Sequence, residues 1–380
     1  MRSEGPRDGE GMGGPRILRS WRFPAGGKAR PLRIVLLLLG SVGTATILSM
    51  ALGTVPIPFP DVLSFLLQRI VNPGALGSSC PVPVVVEGQV VPCTILAAIL
   101  WENRVPEILL ALLVGGALAI SGGTMQGIFR NPLGDPYLLG ISSGAAVGAA
   151  AFFVAGYGLQ YALVALPLFA FLGAMGSAAV ILLASHSGRS TVETLLLTGV
   201  ALASFFGAVI SLVITLRPLS SIPLTFWTLG YLSNATWGEV ALAFGGILAG
   251  SLFLALHGRD LNLLQLGDET ARGLGCDVER VRRRLLVLSA LVTAVAVAFS
   301  GAIGFVGLIS PHIIRRLRGP DYRYLLPLST LFGGLFLLLA DDLAVTILGG
   351  GGELPPGVIT SFVGAPFFLW ILYRRRRRLG

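Results

Sequence analysis

Read from its first residue, the chain alternates long apolar runs with short polar or basic breaks, and the runs carry most of its length. They fall near 33–54, 97–127, 137–156, 161–184, 193–216, 238–257, 284–304, 306–317, 325–346 and 358–374. Most approach the roughly 20 residues an α-helix needs to cross about 30 Å of hydrocarbon, where no water is present and backbone groups must be satisfied within the segment. The piece at 306–317 is too short to cross upright and reads as a short or partial helix. The expected fold class is all-α: a polytopic integral membrane protein of about ten transmembrane helices. A transmembrane domain at 33–374 sits between a disordered basic tail at 1–32 and a second basic tail at 375–380.

Composition agrees with this pattern. Hydrophobic residues make up 54% of the 380 and charged residues 12%, against roughly 25% charged in soluble domains, and the mean hydropathy is +0.80. Charge then sets orientation. An even number of crossings puts both tails on one side, and on this threading 25 of the 28 basic residues share that side, leaving Arg69, Arg104 and Arg217 opposite. Because cytoplasmic flanks collect Lys and Arg, both termini are expected to be cytoplasmic. The net charge of +9 is an orientation signal and an attraction for anionic membrane lipid. It is no nucleic-acid footprint, since the basic residues are scattered over helix ends. The N-terminal stretch is not a cleavable signal peptide, because the run behind it is long enough to span. The longest outer segment, 55–94, contains Cys80 and Cys93 on the oxidising side, where they either close a short loop as a disulfide or remain two free thiols. Cys276 is expected inside and reduced.

Little chemistry of the chain's own is visible. His186, His257 and His312 are far apart, with no metal-ligand spacing. The single lysine, Lys28, stands in GGKAR, which does not match a phosphate-cradling loop. No catalytic residue, metal or cofactor is expected in this chain, and if ATP drives it, another subunit binds the ATP. Phe226, Trp227, Tyr231 and Trp237 read as an interfacial aromatic belt or as contacts for an incoming ligand.

The inner loops are more informative. In RNPLGDPYLLGISSGA, Arg130 to Ala145, Asp135 before Pro136 fits an N-cap and first helical position. In LGDETARGLGCDVERVRRRLL, Leu266 to Leu286, Asp268 is placed to cap a short helix ending near Gly275, and Asp277 to cap the next. Short helices there either make a knob that a cytoplasmic partner can grip or form an ordinary amphipathic inner loop. A third stretch, Ser300 to Ser329, loosely echoes the first, with Gly319-Pro320-Asp321-Tyr322 against Gly134-Asp135-Pro136-Tyr137.

With these motifs in view, the chain resembles the FecCD family of ABC-importer permeases, which serve cobalamin, haem and iron-siderophore uptake. The resemblance rests on Gly115 to Gly148, the LGDETARGLGCDVERVR loop, Gly301 to Pro327 and Glu353 to Leu372. It implies a permease subunit moving an iron chelate or cobalamin across the cytoplasmic membrane by alternating access, working as a homodimer with a second copy of itself. Two cytoplasmic ATP-binding subunits, carrying ATP and Mg, would dock around Gly267, Asp268, Glu269, Ala271, Arg272, Leu274 and Gly275. An extracytoplasmic substrate-binding protein would deliver the cargo. Family members often carry R-x-P-R at an outer docking site, where this chain has Arg104, Val105, Pro106 and Glu107; Arg104 can still pair, whereas Glu107 inverts the second charge.

Two rival classes differ in what they need. A secondary transporter driven by an ion gradient needs ionisable groups within the membrane, yet Glu107, Glu193, Asp341 and Asp342 map near helix ends. A membrane-embedded enzyme needs convergent acid, base or metal groups, and the runs are nearly bare of them.

Overall fold

The computed structural model describes residues 29–53, 56–71, 84–86, 89–91, 93–156, 162–185, 192–217, 221–233, 235–348 and 353–376. In chain order, α1 is Ala29–Ala51 and α2 Phe59–Val71. An antiparallel ribbon of β1, Val84–Val86, and β2, Gln89–Val91, follows, with Val85 opposite Val90. Next come α3, Cys93–Ala97, a π-helical stretch, Ala98–Arg104, and α4, Val105–Phe129, which run on as one helix. A 3-10 turn, Pro136–Leu139, leads to α5, Ile141–Ala155, then α6, Ala162–Ser185, α7, Val192–Leu216, α8, Ser221–Thr228, and α9, Trp237–Leu256. The order closes with α10, Gly258–Gln265, α11, Asp268–Gly273, α12, Val278–Ser300, α13, Val306–Arg318, α14, Tyr322–Leu348, and α15, Pro356–Arg376.

Where the sequence suggests ten spans, seven helices among the described residues are long and apolar enough to cross a membrane: Arg33–Ala51, Thr94–Phe129, Ala162–Leu183, Leu197–Leu216, Trp237–Leu256, Val278–Ser300 and Tyr322–Leu348. Ile141–Ala155 and Pro356–Ile371 are apolar but shorter, and α13 has only 13 residues. Several boundaries differ from the sequence reading for local reasons. Helix α1 starts at Ala29, inside the tail assigned to 1–32. The run near 137–156 breaks at Gly140, whose φ of +73° ends the 3-10 turn before α5 begins. Helix α12 begins six residues before the apolar run, because Asp277 accepts from the Arg280 N–H and caps it. It stops at Ser300, where Gly301 takes a φ of +68°. The outer segment at 55–94 is more than loop, since α2 and the ribbon lie within it.

Helix α4 is the core of the bundle, with 83% of its apolar window buried. It packs against α14, α12, α13 and α9. Its contact with α14 is backbone on backbone: a Cβ placed on Gly115 would lie 2.3 Å from the Gly333 carbonyl oxygen, and one on Gly333 would lie 2.5 Å from that of Gly115. Small residues allow such approach, and in lipid this packing replaces a hydrophobic driving force between helices. Two turns further along, a Cβ on Gly122 would lie 2.2 Å from the Gly307 carbonyl, so α13 is drawn in as closely. Helices α6, α7 and α9 present Leu, Val and Phe outward, with 6% of the α7 window buried. That is the expected face of helices solvated by hydrocarbon.

Candidate functional site

One end of the bundle is built around the C-terminus of α4. Arg130 sits there in the left-handed region, with φ 50°, a conformation more often taken by glycine. Its N–H bonds Gly127 O at 3.3 Å and the Asn131 N–H bonds Gln126 O at 3.2 Å, closing the helix. This turn throws the guanidinium sideways: Nε donates to Leu264 O at 2.7 Å, and the other end of the fork pairs with Asp268. Arg282 of α12 holds both oxygens of Asp268, each at 3.1 Å. Burial opposes the Asp268 charge, but the two guanidiniums outweigh it and hold the carboxyl below its ordinary range.

Asp268 was expected to cap α11, but the cap position is Gly267, whose φ is +103°, and Asp268 spends its oxygens on the arginines. The end of α11 falls where the sequence places it: Gly275, at φ +85°, bonds Arg272 O, and the Cys276 N–H bonds Ala271 O at 3.0 Å. Helices α10 and α11 together form a knob. Ala271 is fully buried beneath it, while Glu269, Arg272, Leu274 and Gly275 are exposed. Leu266 and Leu274 offer 57% and 60% of their surfaces to the outside.

The knob is tied to the bundle by further polar contacts. Gln265 donates to Gly127 O at 2.8 Å, and Asn262 donates to Asp321 at 2.7 Å while accepting the Tyr322 N–H. The faint sequence echo has a local counterpart here, since Asp135 accepts the Tyr137 N–H at 2.9 Å and Asp321 the Arg323 N–H at 3.0 Å. Asp135 is buried, and desolvation pushes its carboxyl up to about 6 against the opposing Tyr137 hydrogen bond.

The opposite end of α4, about 37 Å away at 1.5 Å per residue, holds a cavity of ≈ 150 Å³. Its wall is assembled from α1, the start of α4, α14 and the segments before α9 and α15. Glu107, Asp341, Asp342 and Glu353 all line it, together with Arg104, Ser49, Asn103 and Ser233. Ser49 donates to Asp342 at 2.6 Å. Glu107 Oε1 and Asp341 Oδ1 are buried without a hydrogen-bond partner, and Asp341 is only 5% exposed.

Arg104, expected at an outer docking surface, is instead 7% exposed, with its guanidinium donating to Met50 O at 2.6 Å. The acids are likewise not simply helix-end charges: Asp341 lies about two turns inside α14. Sequence reasoning missed this convergence. The available signal was an Asp-Asp pair inside an apolar run, which on a helix cannot turn both side chains to one outer surface.

The Cys80–Cys93 pairing lies outside the described residues, as do Lys28, His186 and the Glu193 side chain. Cys276 is free and buried. Among the described residues no group of three His, Cys, Asp or Glu side chains converges to enclose a metal ion. Trp237 bonds Trp101 O at 2.9 Å through its indole N–H, and Trp227 is 8% exposed, so neither stands free in an interfacial belt.

A bundle of apolar helices around a glycine-packed core, with a polar knob at one end, defines a multi-pass membrane protein. Comparison with known proteins places it further: residues 37–374 match the FecCD transport family, and the chain belongs to that family, the permease subunits of ABC importers. It is 41% identical to the ABC transporter permease protein YvrB of Bacillus subtilis (strain 168), over 88% of this chain and 92% of that one. It is 44% identical to the cobalamin import system permease protein BtuC of Halobacterium salinarum, over 72% and 73% of the two chains. It is 42% identical to the hemin transport system permease protein HmuU of Yersinia pestis, over 73% and 84%. Among solved structures, an inward-facing structure assigned to the metal-chelate type of ABC transporter superposes with a TM-score of 0.73 at 29% identity, covering 90% of this chain and 99% of that one.

Proposed function

We propose that the chain is one of two identical permease subunits of an importer for a metal chelate, of the iron-chelate, haem or cobalamin kind, with both termini cytoplasmic. Two ATP-binding subunits, which hold ATP and Mg, press on the knob formed by α10 and α11. An extracytoplasmic binding protein delivers the cargo at the other end. The observation that carries this reading is the knob itself: exposed leucines on a short helix that is fastened by Arg130, Gln265 and Arg282 to the core helices. A push on α11 is thereby passed to α4 and α12 rather than absorbed by a loose loop. ATP binding in the partners then biases an outward-facing against an inward-facing arrangement, by as much as its affinity differs between them. Arg104 faces the cavity, so a binding protein that engages it has to displace its bond to Met50.

The test is to place a cysteine at Leu274 and purify the complex from its native membranes. Cross-linking to an ATPase subunit, with uptake in vesicles that requires ATP hydrolysis, is the expected outcome. Uptake driven by an ion gradient with no ATPase present would instead establish the secondary-transporter reading.

A further inference from the structure

The acidic cavity at the far end of α4 is unused by the mechanism above. We propose that it is a binding site for a hydrated divalent cation of the hard class, calcium or magnesium. Its lining supplies oxygen donors of the kind such ions prefer, from carboxylates, hydroxyls and an amide, and contains neither sulfur nor imidazole. With its groups ionised, Glu107, Asp341, Asp342 and Glu353 against Arg104 leave an excess of negative charge, with Asp341 and Arg104 themselves buried. Buried charge of one sign is expensive unless it is paired.

Two residues point to an occupant directly, for Asp341 and Glu107 both line the cavity and each has a carboxylate oxygen, Asp341 Oδ1 and Glu107 Oε1, that bonds to nothing in the protein. Asp341 itself is 5% exposed. The carboxylates do not close on a bare ion, since no three of them converge as a metal cage. The space settles how the ion is held: ≈ 150 Å³ is several times the roughly 30 Å³ that one water takes up. A divalent cation that keeps part of its water shell bridges those distances, as magnesium does when held by one or two carboxylates. A monovalent ion cancels less of the charge at the same separation.

The site joins five separate segments of the chain, so an ion bound in it ties the end of α1 to α4, α14 and the segments before α9 and α15. The side of the membrane it faces rests on the orientation proposed above, but its occupancy does not, so the experiment is done on the full-length protein in detergent. After treatment with a chelator, the protein is dialysed against radioactive calcium at fixed ionic strength, with magnesium as competitor. The expected result is about one ion per chain, saturating in the roughly 10⁻⁴–10⁻³ M range of open oxygen sites. Displacement by magnesium and at least a tenfold weakening in Asp341→Asn and in Glu107→Gln are also expected. Asp342→Asn, at a less buried position, gives a second variant should either of these fail to fold, and Glu279→Gln at the knob leaves binding unchanged. Absence of saturable binding, or binding equal in wild type and cavity variants, overturns the proposal. So does stabilisation by methylammonium but not by calcium or magnesium, which would make the cavity a socket for a partner's basic side chain.

Discussion

Asp268 at the knob is flanked by Arg130 and Arg282 and stays about one third exposed, whereas Asp341 at the other end of the bundle is buried with one oxygen unbonded. Both are aspartates in charged surroundings, yet the first has its charge compensated within the protein and the second does not. The knob and the start of α12 carry four further charged groups in two pairs, Arg272 with Glu279 at 2.7 Å and Asp277 with Arg280 at 3.2 Å. These are exposed, so their worth is positional more than energetic. The cavity end gathers acid around one arginine in a partly open space. Charge at the knob therefore fixes geometry, and charge at the cavity creates a demand for something brought from outside.

The largest effect that separates buried from exposed acid is expected at Asp135, which caps the 3-10 turn after α4. Its carboxyl rises from an ordinary 3.8 to about 6 because it is buried. The protonated form thus favours the folded state: its contribution is fully present below about pH 4 and is lost as pH rises through 6, roughly 3 kcal/mol in all. Asp135→Asn keeps a good cap and removes that loss. Melting curves in detergent at pH 5 and pH 7.5 should show the variant gaining on the wild type at the higher pH; an equal difference at both would contradict the assignment.

Next in size is Asp341→Asn. In the presence of a chelator it should raise thermal stability by about 1–3 kcal/mol, because a neutral amide replaces a buried unpaired carboxylate of the same shape. The matching change Asp268→Asn should lower it, since two arginines lose the negative charge between them and one of its two acceptor oxygens. If both changes move stability in the same direction, the contrast between the ends is false.

Asp268→Arg puts three guanidiniums together and is expected to cut ATP-driven uptake at least tenfold, about 1.4 kcal/mol. The double reversal with Arg130→Asp should recover a good part of it, which uptake in vesicles would reveal. Smallest is Glu279→Gln, with side chains 51% and 80% exposed in its pair, for which a change within about 0.5 kcal/mol is expected.

Much of this was legible in the residue order, for a physical reason that also marks its limit. Apolar runs, caps and left-handed glycines are local: the Asp135-Pro136 start, the Asp277 cap and the Gly275 end of α11 each follow from a few neighbours. Helix α2 was missed because its single apolar stripe, in a segment rich in turn residues, is shorter than a span. Asp268 was read by the same local rule as Asp277, and there the rule failed. Its competitors, Arg130 and Arg282, arrive from other helices. The cavity lies wholly beyond local reading, since Ser49, Glu107, Ser233, Asp341 and Glu353 are brought together only by the fold.

The contact between Gly115 and Gly333 carries a consequence for how such a machine can move. Where two helices touch through side chains, rotamers can be exchanged and one helix can slide past the other. Here main chain rests on main chain, and no such adjustment is available. Helices α4 and α14 then travel as one plank, so that a push handed to α4 from the knob carries α14 with it.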